Sequence, residues 1–513
     1  MSGAEQNGAD VRHEPQSLLA GERLLAAVGG TLIGTAKKTD AIAFTSVATD
    51  SRNVTAGSLF VPLIGEKQDG HAYIPQGLAN GASVVFVARA TYQKDTVVYQ
   101  KLAAEHPAVA FVAVENTLHA LQDAAAAYVA QFPRLIKCAV TGSSGKTTTK
   151  EIAVALLSQK YKVISNKGNL NSETGLPLSV FGIRPEHEVG LFEMGMNRKN
   201  EIGEIAAVLR PNYGIVTNIG TAHIGLLGSR QNIADEKKKI FTYLDKNGVA
   251  IIPAEDDFAD FLARDVKGKI VRYGKNETAG GVQFLHDDGL DGTTFSVDGV
   301  HMQLHLPGAY NFSNALGAVA LSRALGLTSA QIKAGIESVR PLGARSHVIA
   351  LPNGVSLMED CYNANPDSME KAITFCADVP VRGKKLFVLG DMLELGAESA
   401  QAHAHVGELV AQSDAEAVFF VGAEMRAAYD VVARAGDRAA CNGDASAHVT
   451  KPVQAEYIAS HDDSAIALLA QKINALARAG DLVLLKGSNG MGLARLVPLL
   501  TGGGAESSQG ARA

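Results

Sequence analysis

The chain has 513 residues, 46% of them hydrophobic, 19% charged and 52 of them glycine, a composition that excludes both a single small core and a disordered polymer. A net charge of −6 gives no electrostatic case for nucleic acid, which needs a basic domain or stripe, so anionic ligands have to be met by local lysines and backbone N–H groups. Cys138, Cys361, Cys376 and Cys441 show no CxxC spacing, and no apolar run approaches the ~18 residues of a membrane span. Together with a polar N-terminus that does not read as a signal peptide, these features predict a cytoplasmic protein without membrane insertion.

Residues 1–20 and 502–513 read as frayed ends. Residues 21–133 form a mixed α/β pattern, with strands at Ser58–Pro62 and Ser83–Val87 and an alanine-rich helix over Leu118–Gln131. Phe132-Pro133 marks its end, because a residue before proline resists helix. From 134 to 340 the rhythm is strand, glycine turn, helix, with short apolar strands at Lys137–Thr141, Val189–Phe192, Tyr213–Thr217 and Val249–Ile252. That rhythm predicts a parallel sheet with helices on both faces. Within it residues 270–306 differ: Phe295–Val297 and Met302–Leu306 alternate around Asp298-Gly299, the signature of a small antiparallel hairpin. A helix follows from about Asn311 to Leu325. Residues 341–501 form a third α/β unit with strands at Val355–Glu359, Lys385–Leu389, Ala417–Val421 and Leu482–Leu485. The expected fold class is α/β in three domains.

Gly142-Ser143-Ser144-Gly145-Lys146-Thr147-Thr148 lies where a buried strand turns into a helix. Glycines let the backbone wrap phosphate oxygens, the helix N-terminus adds positive potential, Lys146 offers a mobile charge and Thr147 a hydroxyl for Mg²⁺. The standard phosphate loop has a glycine where this chain has Val140, so the motif is a shortened relative that leaves kinase, GTPase and ligase open.

Three features follow along the crevice edge of the parallel strands. Glu193 ends one strand, where a carboxylate can meet a nucleotide's Mg²⁺. His223, in Asn218–His223 past another strand, points to a second metal position. Lys237 sits in the charge run Asp235–Lys239, which by itself reads as a solvated helix face. Further on, Asn311 and Asn314 open a helix that Asn311 could cap, and Arg345 reads by itself as a rim salt bridge. Asp360-Cys361-Tyr362-Asn363-Ala364-Asn365-Pro366 is denser in hydrogen-bonding groups than a plain turn requires.

In this order the residues resemble the Mur ligases of peptidoglycan synthesis, from about Asp50 to Leu493. Asp50-Ser51-Arg52 with Gly57–Val61 is similar to their uridine-nucleotide module, and Gly168–Pro177 to their substrate-contacting stretch. Asp360–Pro366, Leu389–Gly396 and Lys486-Gly487-Ser488 are most similar to the type that joins D-alanyl-D-alanine to UDP-N-acetylmuramoyl-tripeptide. The resemblance implies a UDP-precursor domain (21–133), a central ATP-binding domain of P-loop ATPase type (134–340) and a C-terminal Rossmann-like ligase domain (341–501).

Catalysis through an acyl-phosphate is implied, with Lys146, Glu193, His223 and Lys237 as catalytic residues and Lys237 carbamylated. ATP is implied to contact the Gly142–Thr148 loop, Asn311, Asn314, Arg345, Asp360 and Asn363, and the substrates Ser51, Arg52, Asn169, Asn171, Ser172, Thr174 and Asn365. Two Mg²⁺ sites are implied through Thr147, Glu193, His223 and Lys237, in a bacterial monomer serving cell-wall growth, cell shape and division. Lys239, Tyr310 and Ser172 depart from the residues common in this type. The rival readings are the ligase that adds the third amino acid, a folylpolyglutamate synthetase, and a phosphate-loop switch protein that binds nucleotide without ligating anything.

Overall fold

A computed structural model of the chain describes residues 17–34, 39–276, 281–341, 343–442 and 453–501. The ends expected to fray, 1–16 and 502–513, lie outside the described residues, as does the side chain of Cys441. The chain divides into two compact units. One comprises the chain up to Lys137 with Ile164–Met194 and Glu204–Arg210; the other comprises Cys138–Val163, Gly195–Gly203 and the chain from Pro211 on.

In the first unit, β1 (Thr31–Leu32), β2 (Ser46–Ala48), β3 (Ser58–Phe60), β4 (Ala82–Ala88) and β5 (Ala110–Val114) form a sheet of order β1-β5-β4-β3-β2. Only β1 runs antiparallel to its neighbour. From Val84 on, β4 is an unbroken apolar run, as is β5, because both of their faces are covered. The alanine-rich helix spans Thr117–Val129 and starts where Asn116 Oδ1 accepts the N–H groups of Leu118 and His119. Residues 17–20, placed among the frayed ends by composition, are held instead. Leu18 N–H donates to Phe44 O at 2.8 Å, and Leu19 is buried.

The middle of the chain contributes β6 (Ile136–Thr141), β7 (Val163–Ser165), β8 (Val189–Glu193), β9 (Tyr213–Val216), β10 (Val249–Pro253) and β11 (Lys269–Tyr273). In the second unit β11, β10, β9 and β6 lie side by side in that order, all parallel. β11 corrects an expectation: residues 270–273 belong to the parallel sheet rather than to the antiparallel appendage. Helix Lys146–Leu157 leaves β6 and is covered by Ala309–Ala324 and Ser329–Ser338. A Cβ on Gly335 would come within 2.6 Å of Leu156 Cα, so glycine lets the helices Lys146–Leu157 and Ser329–Ser338 touch backbone to backbone.

The appendage has three strands, β12 (Val282–Asp287), β13 (Thr293–Val297) and β14 (Val300–Leu304), all antiparallel. Asp298 and Gly299 both take left-handed backbone, φ 49° and 78°, as a two-residue hairpin turn demands.

The last sheet contains β15 (His347–Ala350), β16 (Ser356–Asp360), β17 (Lys385–Gly390), β18 (Ala417–Val421), β19 (Gln454–Ile458) and β20 (Leu482–Lys486) in the order β15-β16-β20-β17-β18-β19. All neighbours are parallel except β15 and β16. Alternation along β17 builds two cores. Phe387 and Leu389 face the helices Pro366–Asp378 and Ser399–Gln412, while Leu386 and Val388 face Asp463–Leu476 and Leu496–Leu500. This doubly covered parallel sheet places the loops after β16, β17 and β20 at one edge.

Candidate functional site

Close backbone approach shapes the glycine turn after β6. Gly142 has φ 154°, and a Cβ there would lie 1.7 Å from Thr217 Oγ1. Gly145 has φ 77°, and a Cβ there would lie 2.1 Å from Asn314 Oδ1. Between them, Ser143 N–H donates to Asn218 O at 3.0 Å and Ser144 N–H to Asn218 Oδ1 at 2.9 Å. Both donors are thus committed to the protein, which leaves the turn at Gly145 and the helix start at Lys146, Thr147 and Thr148 to meet a phosphate. Lys146 Nζ folds back and donates to Gly142 O at 2.9 Å.

Lys237 reaches the same loop. Its Nζ donates to Gly142 O at 2.8 Å, and the residue is 1% exposed. The charge run is therefore no solvated face. Glu236 is buried as well, accepting the N–H groups of Asn200 and Ile202 and the Lys239 ammonium. Lys238 turns to Phe261 O, so the neighbouring lysines point away from Lys237, as helix geometry requires.

The loop after β9 is fixed by acceptors from separate segments. Ile219 N–H donates to Asp256 Oδ2 at 2.8 Å, Gly220 N–H to Ser143 Oγ at 2.8 Å and Thr221 N–H to Asp367 Oδ2 at 2.9 Å. Burial raises the Asp256 carboxyl above its ordinary range, against the hydrogen bonds it accepts. His223 ends this loop in left-handed backbone, φ 64°, with Nδ1 3.0 Å from Glu394 Oε2. The contact is a short approach of imidazole to carboxylate, with no hydrogen bond found at Nδ1 among the described residues. The short contact with His223 holds the Glu394 carboxyl below its ordinary range, against the effect of burial.

In the helix from Ala309, Asn314 touches the glycine turn and Asn311 stands behind it. Asn314 Nδ2 donates to Asn311 Oδ1 at 3.1 Å, and Asn311 Nδ2 donates to Pro307 O at 2.8 Å. Asn311 is not the cap; Gly308 occupies that position. Tyr310, one of the departures, meets Ser346 Oγ at 3.0 Å, and burial pushes its phenol well above the ordinary value.

Asp360 Oδ1 accepts Ser346 N–H at 3.1 Å, and Oδ2 lies 3.0 Å from the buried Lys486 ammonium, which also donates to Asn363 O at 2.8 Å. Arg345 makes no ion pair among the described residues; its guanidinium stacks 3.7 Å above the Tyr362 ring. Asn365 caps the helix Pro366–Asp378, its Oδ1 accepting Ser368 N–H at 2.9 Å. A cleft of about 150 Å³ opens here, lined by Ala222, His223, Asn363–Asn365, Leu393–Leu395 and Ser488–Gly490.

In the first unit, Glu193 is buried, its Oε1 accepting Asn171 Nδ2 at 2.7 Å. Ser172 Oγ accepts Gly175 N–H at 3.1 Å, Thr174 precedes the helix Gly175–Val180, and Asn169 is exposed. Ser51 Oγ donates to Gln76 Oε1 at 2.7 Å, and Arg52 pairs with Asp50 at the surface.

Three family profiles match in chain order: "Mur ligase family, catalytic domain" over residues 43–129, "Mur ligase middle domain" over 140–322 and "Mur ligase, glutamate ligase domain" over 344–489. A UDP-N-acetylmuramoyl-tripeptide–D-alanyl-D-alanine ligase of Treponema pallidum is 39% identical over 94% of this chain and 99% of its own length. The chain belongs to the Mur ligase family. Its fold agrees: MurF from Acinetobacter baumannii superposes on this Mur ligase with a TM-score of 0.81 at 27% identity, covering 95% of this chain and 100% of that one. MurF from Thermotoga maritima in complex with ADP gives 0.72 at 25% identity, over 89% and 97%. This Mur ligase is thus a ligase of three-domain α/β architecture, which leaves the switch-protein reading without support.

Sequence reasoning missed Asp256 and Asp367, and marked Glu394 only as part of the Leu389–Gly396 stretch, without a role. Asp256 follows a strand in an Asp-Asp pair, a weak signal; Asp367 and Glu394 act on residues more than a hundred positions away. Among the described residues no group of three His, Cys, Asp and Glu side chains is placed to hold a metal ion. The hard oxygen donors of Thr147 and Glu193 nevertheless fit Mg²⁺, whereas Lys237 fits a cation only once its ammonium is converted to an anion. No helix among the described residues is long and apolar enough to cross a membrane.

Proposed function

We propose that this Mur ligase joins D-alanyl-D-alanine to UDP-N-acetylmuramoyl-tripeptide, using ATP to form an acyl-phosphate and releasing ADP and phosphate. Near end-to-end similarity to a relative of that name supports this reading above all, since it spans every module. The product feeds bacterial peptidoglycan synthesis in the cytoplasm, and with it cell shape and division.

The tripeptide's terminal carboxylate attacks the γ-phosphorus of ATP. Lys146 leaves the Gly142 carbonyl to meet the β/γ-phosphates, while the helix start at Gly145 faces their charge. Thr147, Glu193, His223 and carbamylated Lys237 are the residues that would hold two Mg²⁺ ions. Bound there, the ions would offset the repulsion between carboxylate and phosphate. Asn314 braces the loop, and Arg345, Asp360 and Asn363 carry the third domain's contribution to the nucleotide. Ser51 and Arg52, with Asn169, Asn171, Ser172, Thr174 and Asn365, serve the two substrates. The dipeptide amine then attacks the acyl carbon, loses a proton, and phosphate leaves. The protein acts as a monomer.

A coupled phosphate-release assay with purified protein, ATP and UDP-tripeptide tests this. Release that requires D-alanyl-D-alanine is expected. Release driven by a single amino acid with the UDP-dipeptide acceptor, or by glutamate with a folate, would replace the reading with one of its rivals.

A further inference from the structure

The cleft of about 150 Å³ falls below the ~300–1,000 Å³ of drug-sized ligand pockets, so it is of a size for a small molecule such as a dipeptide, with Asn363 on the side proposed to face the nucleotide. Its wall is chemically uneven. Glu394 is the one carboxylate lining it, Asn363 and Asn489 bring neutral amides, and Ala364, Leu393 and Leu395 bring apolar surface. One anion, neutral hydrogen-bonding groups and methyl-sized apolar contacts complement a small zwitterion with an ammonium and short side chains.

Glu394 is also held in an unusual way. Its φ is 67°, a left-handed conformation that a non-glycine residue adopts at a cost and that clusters at ligand sites. Gly225 clamps the segment from the other side: a Cβ there would lie 2.8 Å from Glu394 O. The side chain is 56% exposed, with Oε2 3.0 Å from His223 Nδ1. Among the described residues no partner is found for Oε1.

We propose that Glu394 receives the α-ammonium of the incoming D-alanyl-D-alanine in this cleft and sets the amine beside His223. This rests on the dipeptide-ligase reading and deepens it by naming the residue that selects and orients the nucleophile. An ammonium drawn to Glu394 stands at the edge of the Asn218–His223 loop, which is bonded to the phosphate loop through Ser143 and Ser144.

The test is initial-rate kinetics on the full chain, varying each substrate, for wild type, Glu394→Gln and Glu394→Asp, with nucleotide binding measured separately. In Glu394→Gln the KM for the dipeptide is expected to rise at least about tenfold, more than kcat falls, with part of the loss restored by Glu394→Asp. An unchanged dipeptide KM with kcat lost would overturn the proposal and show that Glu394 acts only through His223. In wild type, N-acetyl-D-alanyl-D-alanine, which lacks the ammonium, is expected to inhibit with a constant at least about tenfold above the dipeptide KM. Equal values would overturn the proposal without any variant. Wild-type phosphate release that ignores the dipeptide would instead remove the underlying reading.

Discussion

Lys146 and Lys237 donate to one acceptor, the carbonyl oxygen of Gly142, at 2.9 and 2.8 Å. Two ammonium groups on one oxygen repel each other, and a phosphate bound at Gly145 would draw Lys146 away and leave the carbonyl to Lys237. Carbamylation of Lys237 would go further, exchanging repulsion for attraction. We expect Lys237→Ala to abolish dipeptide-dependent phosphate release while nucleotide binding is largely kept. Labelled bicarbonate should enter the wild type at Lys237 and not the variant. Near-normal turnover in Lys237→Ala would remove its proposed role. Lys146→Ala should lower kcat by several kcal/mol of transition-state stabilisation, and a loss below about tenfold would count against it.

Gly145 faces two constraints at once, φ 77° and Asn314 Oδ1 2.1 Å from where a Cβ would stand. Gly145→Ala is expected to destabilise the protein by ~1–3 kcal/mol, read in urea unfolding, and to weaken nucleotide binding by at least about tenfold. Adding Asn314→Ala removes the clash but not the backbone strain. The double variant should therefore recover part of the stability; full recovery would show that backbone strain contributes nothing.

Asp367 accepts both the N–H and the hydroxyl of Thr221, at 2.9 and 3.2 Å. Asp367→Ala leaves that N–H without its acceptor and should cost ~1–3 kcal/mol. Because Thr221 and His223 share one loop, kcat should fall as well. Calorimetry and turnover together check this, and a loss of stability with unchanged kcat would separate the loop's anchoring from catalysis.

Asp256 gives the pH dependence. Burial raises its carboxyl pKa above the unfolded value. Its contribution to stability is therefore fully present below the unfolded pKa and is lost as pH rises through the folded one. The stability of wild type relative to Asp256→Asn should fall as pH is raised across and just above the ordinary carboxylate range, measured by urea unfolding at a series of pH values. A flat difference would mean that its accepted hydrogen bonds cancel the cost of burial.

Buried strands were the legible part of the fold. β6, β8, β9, β10, β17, β18 and β20 are short apolar runs covered on both faces, and the Asp298-Gly299 turn announces itself by backbone chemistry. Edge strands were harder. β11 is mostly exposed, β19 is half-buried and β15 pairs antiparallel at an edge, so none of them carries a continuous apolar signal. The site divided in the same way. Gly142, Gly145 and Lys146 are readable because phosphate chemistry restricts which residues can stand there. Asp256 and Asp367 are carboxylates whose bearing on the site comes from distant donors of the Asn218–His223 loop that the fold brings to them.

The Thr221–Asp367 bond has one more consequence. Asp367 rides on the first turn of the helix Pro366–Asp378, so whenever that helix moves off, the Thr221 amide loses its shield. Its proton should exchange with solvent at a rate set by how often the helix departs, and ligands held by both sides should slow it. A single backbone amide would thus report any departure of that helix.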